Sequence, residues 1–164
     1  MLGYQISAEV IASSISVSAV FYVMLSHFEQ FRDRLQNEEG FMRRFIYESV
    51  RCGSNTGPAS RSIGMVFCIA ASEQTFAEPH KFNPDRYTDT AILESTLWGT
   101  GSRACPAKQF VLAWGDKTLK HLLQNYTIEV QKPSGDALVD VRAMKRFSLT
   151  DRPYEFVLHQ KPAA

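Results

Sequence analysis

The chemistry in this 164-residue chain is concentrated in W-G-T-G-S-R-A-C-P-A, Trp98 to Ala107. Glycines 99 and 101 let the backbone turn tightly and lie close against another body. Pro106 suits the first turn of a helix, where its missing N–H is no loss. Cys105 is therefore expected at a helix N-terminus, whose partial positive charge favours thiolate over thiol. Such a cysteine is prepared to hold something. Zinc needs about four ligands at characteristic spacings, and His27, His80, His121 and His159 supply none beside the cysteines. A protease-type nucleophile needs a partner histidine, and no local pattern supports one. A silent, buried cysteine is the plain alternative.

One option asks for a single protein sulfur. A lone thiolate suffices as a ligand to haem iron, and glycine lets the loop lie against the macrocycle. Arg103 would then meet an acidic group at the haem edge, since guanidinium pairs well with carboxylate. A second pair worth noting is Glu48 and Arg51 in F-M-R-R-F-I-Y-E-S-V-R-C. Three residues apart on a helix, they share a face. Read alone, the pair is also what an ordinary surface ion pair looks like, worth a few tenths of a kcal/mol.

The elements that must position these residues start with a long apolar stripe. Val10, Ser14, Val17, Phe21, Met24, Phe28, Phe31 and Leu35 follow at alternating steps of four and three, which predicts one long helix. Its first half is uncharged all round and its second half carries charges off the stripe. The charge-free run from Val10 to Ser26 contains five serines and falls short of the roughly 20 apolar residues a membrane span needs. A shorter helix carries E-x-x-R, and G-S-N-T-G-P-A-S after it reads as loop. M-V-F-C-I-A-A fits a short buried strand or a helical turn. Prolines 79 and 84 with aromatics 76, 82 and 87 predict an extended, irregular, packed segment. From Pro106 to about Tyr126 a second long helix is expected, with Val111, Gly115, Leu119, Leu122 and Tyr126 on one face. Gly115 costs that helix about 1 kcal/mol against alanine, which points to close packing there. A-L-V-D-V, R-F-S-L and Y-E-F-V-L-H read as short terminal strands.

Composition narrows the class. Lys and Arg number 18 against 17 Asp and Glu, a net charge of +1, which points away from nucleic acid and from a polybasic membrane patch. Cys52, Cys68 and Cys105 are odd in number and lack C-x-x-C spacing. No disulfide partner is expected, and a reducing compartment fits. No charged n-region and cleavage site opens the chain.

Taken in order, these pieces resemble the C-terminal part of a cytochrome P450. Trp98 to Ala107 resembles that family's cysteine-ligand loop, F-x-x-G-x-R-x-C-x-G, and Glu48 to Arg51 resembles its E-x-x-R helix. Arg61 falls where a further arginine, often a propionate partner, is expected. F-A-E-P-H-K-F-N-P-D-R-Y, Phe76 to Tyr87, is similar to the segment whose arginine completes a Glu–Arg–Arg triad. The resemblance implies that Arg86 joins Glu48 and Arg51 in one buried network, which fixes geometry more than it adds net stability. It implies a mainly α fold with short terminal β-strands: one partial domain over 1–164, with a distal-type helix over 1–38, the E-x-x-R helix over 41–52, a meander over 76–87, the ligand loop over 98–107, a helix over 107–126 and strands over 133–160. It implies haem b as cofactor, with Cys105 the iron ligand and Trp98, Gly101, Arg103, Ala107 and Arg61 around it. The implied activity is insertion of one oxygen atom of dioxygen into an apolar small molecule, with electrons from a reductase-type redox partner.

Departures from the family pattern bear on that activity. The distal alcohol position falls at Ser13 or Ser14, but Ala12 or Ser13 stands where its acidic neighbour belongs, and Glu9 lies three or more residues early. A hydroxyl and water still relay protons, less efficiently; the alternative is haem-thiolate isomerisation or dehydration, which needs no such relay. Ala107 replaces a glycine, and Val111 a common alanine. The stretches from Glu38 to Glu48 and from Arg61 to Phe76 are shorter than the family's, and its N-terminal portion, with the endoplasmic-reticulum anchor of many relatives, is absent. A cytoplasmic location is expected for the chain as it stands. A shortened, catalytically inactive relative is the reading of a different class.

Overall fold

The computed structural model describes residues 17–53, 76–79, 81–87, 97–99, 101–131 and 155–162. The uncharged part of the N-terminal stripe forms helix α1 over 17–27. Ala19, Val20, Tyr22, Val23, Met24 and Leu25 are all buried, so this helix is covered nearly all round, as its lack of charge requires.

The single long helix expected over 1–38 is corrected. After α1 comes a 3-10 turn, Glu29–Phe31, and then a separate helix α2, Arg32–Asn37. The stripe passes through this corner unbroken, since Phe28 and Leu35 are both buried. What bends the chain is bonding off the stripe. The N–H groups of Phe28 and Phe31 donate to carbonyls three residues back, at 3.4 and 3.3 Å, and the Ser26 hydroxyl donates to the Tyr22 carbonyl at 2.8 Å. Arg32 then donates to both oxygens of Glu29 at 2.6 Å and to the Tyr126 carbonyl at 2.8 Å. Glu29 in turn accepts the Ile128 N–H at 2.6 Å. Burial opposes ionisation of Glu29, but the Arg32 guanidinium and the Ile128 N–H outweigh it and hold its carboxyl below the ordinary value. The corner is thus tied to a distant strand, which a straight helix would not reach.

Helix α3, Phe41–Gly53, is amphipathic at its start and buried throughout from Phe45 onward. Phe31, Phe41, Phe45 and Phe82 stack and tilt against one another with centroids 5.3–6.4 Å apart, an arrangement favoured by the ring quadrupoles. Helix α4, Lys108–Asn125, buries Gly115, Leu119, Leu122 and Leu123. Gly115 lies where α1, α3 and α4 meet: a Cβ there would stand 3.1 Å from Ile46 Cδ1 and 3.3 Å from Met24 Cε. Gly53 sits closer still, with a Cβ falling 2.7 Å from Val20 Cα. The end of α3 rests on the backbone of α1, and only glycine fits.

Two more expectations are corrected. Tyr126 does not continue the α4 face; its φ of −134° and ψ of 151° begin strand β1, Tyr126–Gln131. β1 pairs antiparallel with β2, Glu155–Gln160, in the register Tyr126↔Gln160. Strands were expected only over 133–160, so β1 begins before that range. Y-E-F-V-L-H supplies all of β2 but Gln160, while M-V-F-C-I-A-A, A-L-V-D-V and R-F-S-L lie outside the described residues. The molecule is mainly helical, with one two-stranded sheet among the described residues.

Candidate functional site

Helical spacing puts Glu48 and Arg51 on one face of α3, and that face is interior. The Glu48 side chain is 0% exposed and that of Arg51 2%. Arg51 Nε donates to Glu48 Oε2 at 2.8 Å and Nη2 to Oε1 at 2.7 Å, a bidentate fork of the kind arginine forms best. The irregular segment after Phe76 wraps round this pair. Asn83 N–H donates to Glu48 Oε1 at 2.9 Å. Arg86, in the 3-10 turn Pro84–Tyr87, donates from Nε to the same oxygen at 3.0 Å.

Remaining donors of the two guanidinium groups take backbone carbonyls. Arg51 reaches Pro79 O at 2.7 Å and Lys81 O at 3.4 Å. Arg86 reaches Ala77 O at 2.8 Å, Glu78 O at 3.3 Å and Lys81 O at 2.9 Å. A segment with little secondary structure of its own therefore gets its backbone partners from two arginines. Burial would lower the Arg51 pKa, yet the Glu48 carboxylate outweighs it and keeps the guanidinium firmly charged. Beside it, burial pushes the Cys52 thiol up to about 12, against the pull of Arg51. Burial likewise raises the Tyr87 phenol, with the Glu48 charge adding to it.

The cysteine loop is built differently. Leu97 and Trp98 form a helical turn, and Trp98 is buried. Gly99 and Gly101 take φ of +74° and +63°, the left-handed region that glycine enters without strain. Gly101–Arg103 is a 3-10 turn. The Ala104 N–H donates to Gly101 O at 3.2 Å, and the Cys105 N–H donates to Trp98 O at 2.7 Å, closing the loop on itself. Cys105 is half-buried with an unpaired thiol.

The expectation that Cys105 opens a helix, and that the helix starts at 106 or 107, is corrected. Lys108 N–H donates to Cys105 O at 3.3 Å, a tight turn, and the first helical bond runs from Val111 N–H to Ala107 O at 2.9 Å. Cys105 therefore stands one short turn ahead of α4, which begins at Lys108.

The structure brings Glu48, Arg51 and Arg86 into one buried cluster and places Trp98, Gly101, Cys105 and Ala107 in one loop. Ser13, Ser14 and Arg61 lie outside the described residues, as does the side chain of Arg103. Sequence reasoning missed Asn83 and Tyr47. Asn83 acts through its backbone N–H, which carries no side-chain signal. Tyr47 touches Trp98 edge-on, centroids 6.1 Å apart, a contact between residues far apart in sequence.

A sequence profile of the family described as Cytochrome P450 matches residues 63–158, which spans the meander, the cysteine loop, α4, β1 and the first four residues of β2. This chain belongs to the cytochrome P450 family. It is similar to the cytochrome P450 monooxygenase ppzG of Metarhizium majus (strain ARSEF 297), at 35% identity over 65 residues, covering 37% of this chain and 21% of that protein. The chain thus matches about a fifth of the length of that relative. No solved structure matches it. Haem-thiolate ligation is a property of the cytochrome P450 family as a whole. Among the described residues, no helix is long and apolar enough to cross a membrane, and no three His, Cys, Asp or Glu side chains cluster as a set of metal ligands.

Proposed function

We propose that this P450 chain is a haem-thiolate oxidoreductase that places one oxygen atom of dioxygen into an apolar small molecule, with Cys105 as the protein ligand to iron. The observation that carries this reading is the Cys105 loop itself: a thiol without a partner among the described residues, held on a loop turned by two left-handed glycines.

The residues fit such a body. A Cβ built on Gly101 would meet nothing within 4 Å, so the left-handed turn opens onto free space. Ala107 is exposed, and Phe110, one turn on, is 63% exposed, leaving apolar surface at the start of α4. The Trp98 indole nitrogen is buried without a partner among the described residues. One sulfur is also the right donor set for haem, which brings its remaining ligands with it. Haem bound through thiolate supplies an iron centre enriched in electron density, which favours O–O cleavage.

The roles of this chain's own residues follow. Cys105 holds the iron, and the Trp98 carbonyl fixes the Cys105 backbone. Gly101 and Ala107 would face the bound macrocycle. Arg103 and Arg61 pair with its carboxylates, since guanidinium binds carboxylate in a bidentate fork. Ser13 or Ser14 would hold a proton for delivery to bound dioxygen. The Glu48–Arg51–Arg86 cluster touches none of the reacting atoms; it fixes the meander that packs beneath α3. An electron donor of the reductase type completes the cycle.

The test is spectroscopic. Purified chain is mixed with haem, reduced and exposed to carbon monoxide. The expected result is the red-shifted Soret band of a thiolate ligand, absent in Cys105→Ala. Identical spectra of free haem in both proteins would overturn the reading.

A further inference from the structure

Helix α3 carries the carboxylate cluster on one face, and the residue just before Glu48 faces elsewhere. Tyr47 is buried, and its ring meets Trp98 edge-on at 6.1 Å and 77°. The same ring lies 5.6 Å from that of Tyr87, the residue after Arg86. Both segments that hold the cluster therefore send a neighbouring aromatic ring to one place, with Tyr47 in the middle. Trp98, packed there, offers its carbonyl to the Cys105 N–H at 2.7 Å.

We propose that Tyr47 is a positioning residue that couples the buried Glu48–Arg51–Arg86 cluster to the Cys105 loop through Trp98. The physical argument is one of stiffness. A loop with two left-handed glycines and little burial has few restraints of its own. A buried ring edge packed on an indole transmits the position of a rigid helix, because close-packed interiors do not deform continuously. Loss of the ring unpacks the Trp98 side chain, so the backbone at 97–98 loses its anchor and its carbonyl holds the Cys105 N–H less persistently. What Cys105 does once positioned rests on the haem-thiolate reading. The positioning itself is measured on the chain without cofactor, so the two ideas fail separately.

The experiment is amide hydrogen exchange, resolved to single residues. In Tyr47→Leu the Cys105 amide is expected to exchange about tenfold faster, the signature of a weakened local restraint. The Asn83 amide, held by Glu48, is expected to hold its wild-type rate. Tyr47→Phe keeps the ring and loses the bond that its hydroxyl accepts from Arg43 at 3.3 Å; its Cys105 rate is expected to stay within about twofold. An unchanged Cys105 rate in folded Tyr47→Leu, or equal acceleration at Cys105 and Asn83, overturns the proposal. If Tyr47→Leu does not fold, the wild-type chain decides under graded denaturant. The Cys105 amide is expected to open with the same free energy as the middle of α3, and opening at much lower cost overturns it.

Discussion

Glu48 and Cys105 are linked through Tyr47 and Trp98, yet their surroundings are finished to different degrees. Around Glu48, both carboxylate oxygens and every nitrogen of the Arg51 and Arg86 guanidinium groups have partners within the chain. Around Cys105, the thiol makes no hydrogen bond among the described residues, an indole N–H is unsatisfied, and Phe110 stands out into solvent. Charges taken out of water are tolerated only when fully paired, so the first cluster must be complete as soon as the chain folds. The second has no such requirement: a half-exposed thiol and two glycines cost little as they are. Fully paired charge is concentrated in one region, and unpaired polar atoms with exposed apolar surface in the other.

The largest effect should therefore come from breaking the first and sparing the second. Glu48→Ala leaves two buried guanidinium groups without their shared carboxylate and is expected to cost about 3–5 kcal/mol in denaturant unfolding. Cys105→Ala, measured without haem, is expected to cost about 1 kcal/mol or less. Equal losses would erase the contrast.

Next comes backbone contact beneath the cluster. Gly53→Ala drives a methyl into the Val20 backbone, which has no soft rotamer to yield, and should cost about 1–3 kcal/mol. Gly115→Ala meets the flexible ends of Ile46 and Met24 and should cost less, so their ranking by thermal unfolding checks which helix contact is rigid.

A smaller effect, with the sign as the test, falls at Tyr87. Its hydroxyl is buried without a partner among the described residues, so Tyr87→Phe is expected to be neutral or to stabilise by up to about 1 kcal/mol. A clear loss would mean that the aromatic wall between the two regions carries a hydrogen bond.

The smallest effect is a pH slope. His27 stacks on Phe82 at 4.0 Å and 9°, and burial lowers its pKa below the ordinary 6.5, against the Gln30 hydrogen bond and the Glu48 charge. The folded chain thus prefers neutral imidazole while the unfolded chain takes up the proton first. The contribution is complete above pH 6.5 and is lost as pH falls through the folded value. Urea midpoints from pH 8 to pH 5 should fall more steeply in wild type than in His27→Gln; parallel curves would contradict the buried neutral ring.

How much of this was legible in sequence depends on whether the signal was local. The cysteine loop announced itself because glycine, proline and cysteine have sharp local meanings. The spacing of Glu48 and Arg51 put them on one face, but nothing local said that the face was buried; that came from Arg86 and from carbonyls of a segment distant in sequence. The corner at 28–31 was hidden because the apolar stripe runs straight through it, and the residues that bend it, Glu29 and Arg32, bond to a strand almost a hundred residues away. β1 was hidden because Tyr126 also satisfies the helical period, although T-I-E-V alternates as a strand does. The start of α4 was misplaced by the turn from Cys105 to Lys108, which Pro106 accommodates as readily as it would a helix.

The central claim concerns one sulfur, and X-ray absorption at the iron edge addresses it most directly. With haem added to the purified chain, the account predicts a single sulfur neighbour to iron that disappears in Cys105→Ala. An iron shell of nitrogen and oxygen alone in the unaltered chain would contradict it.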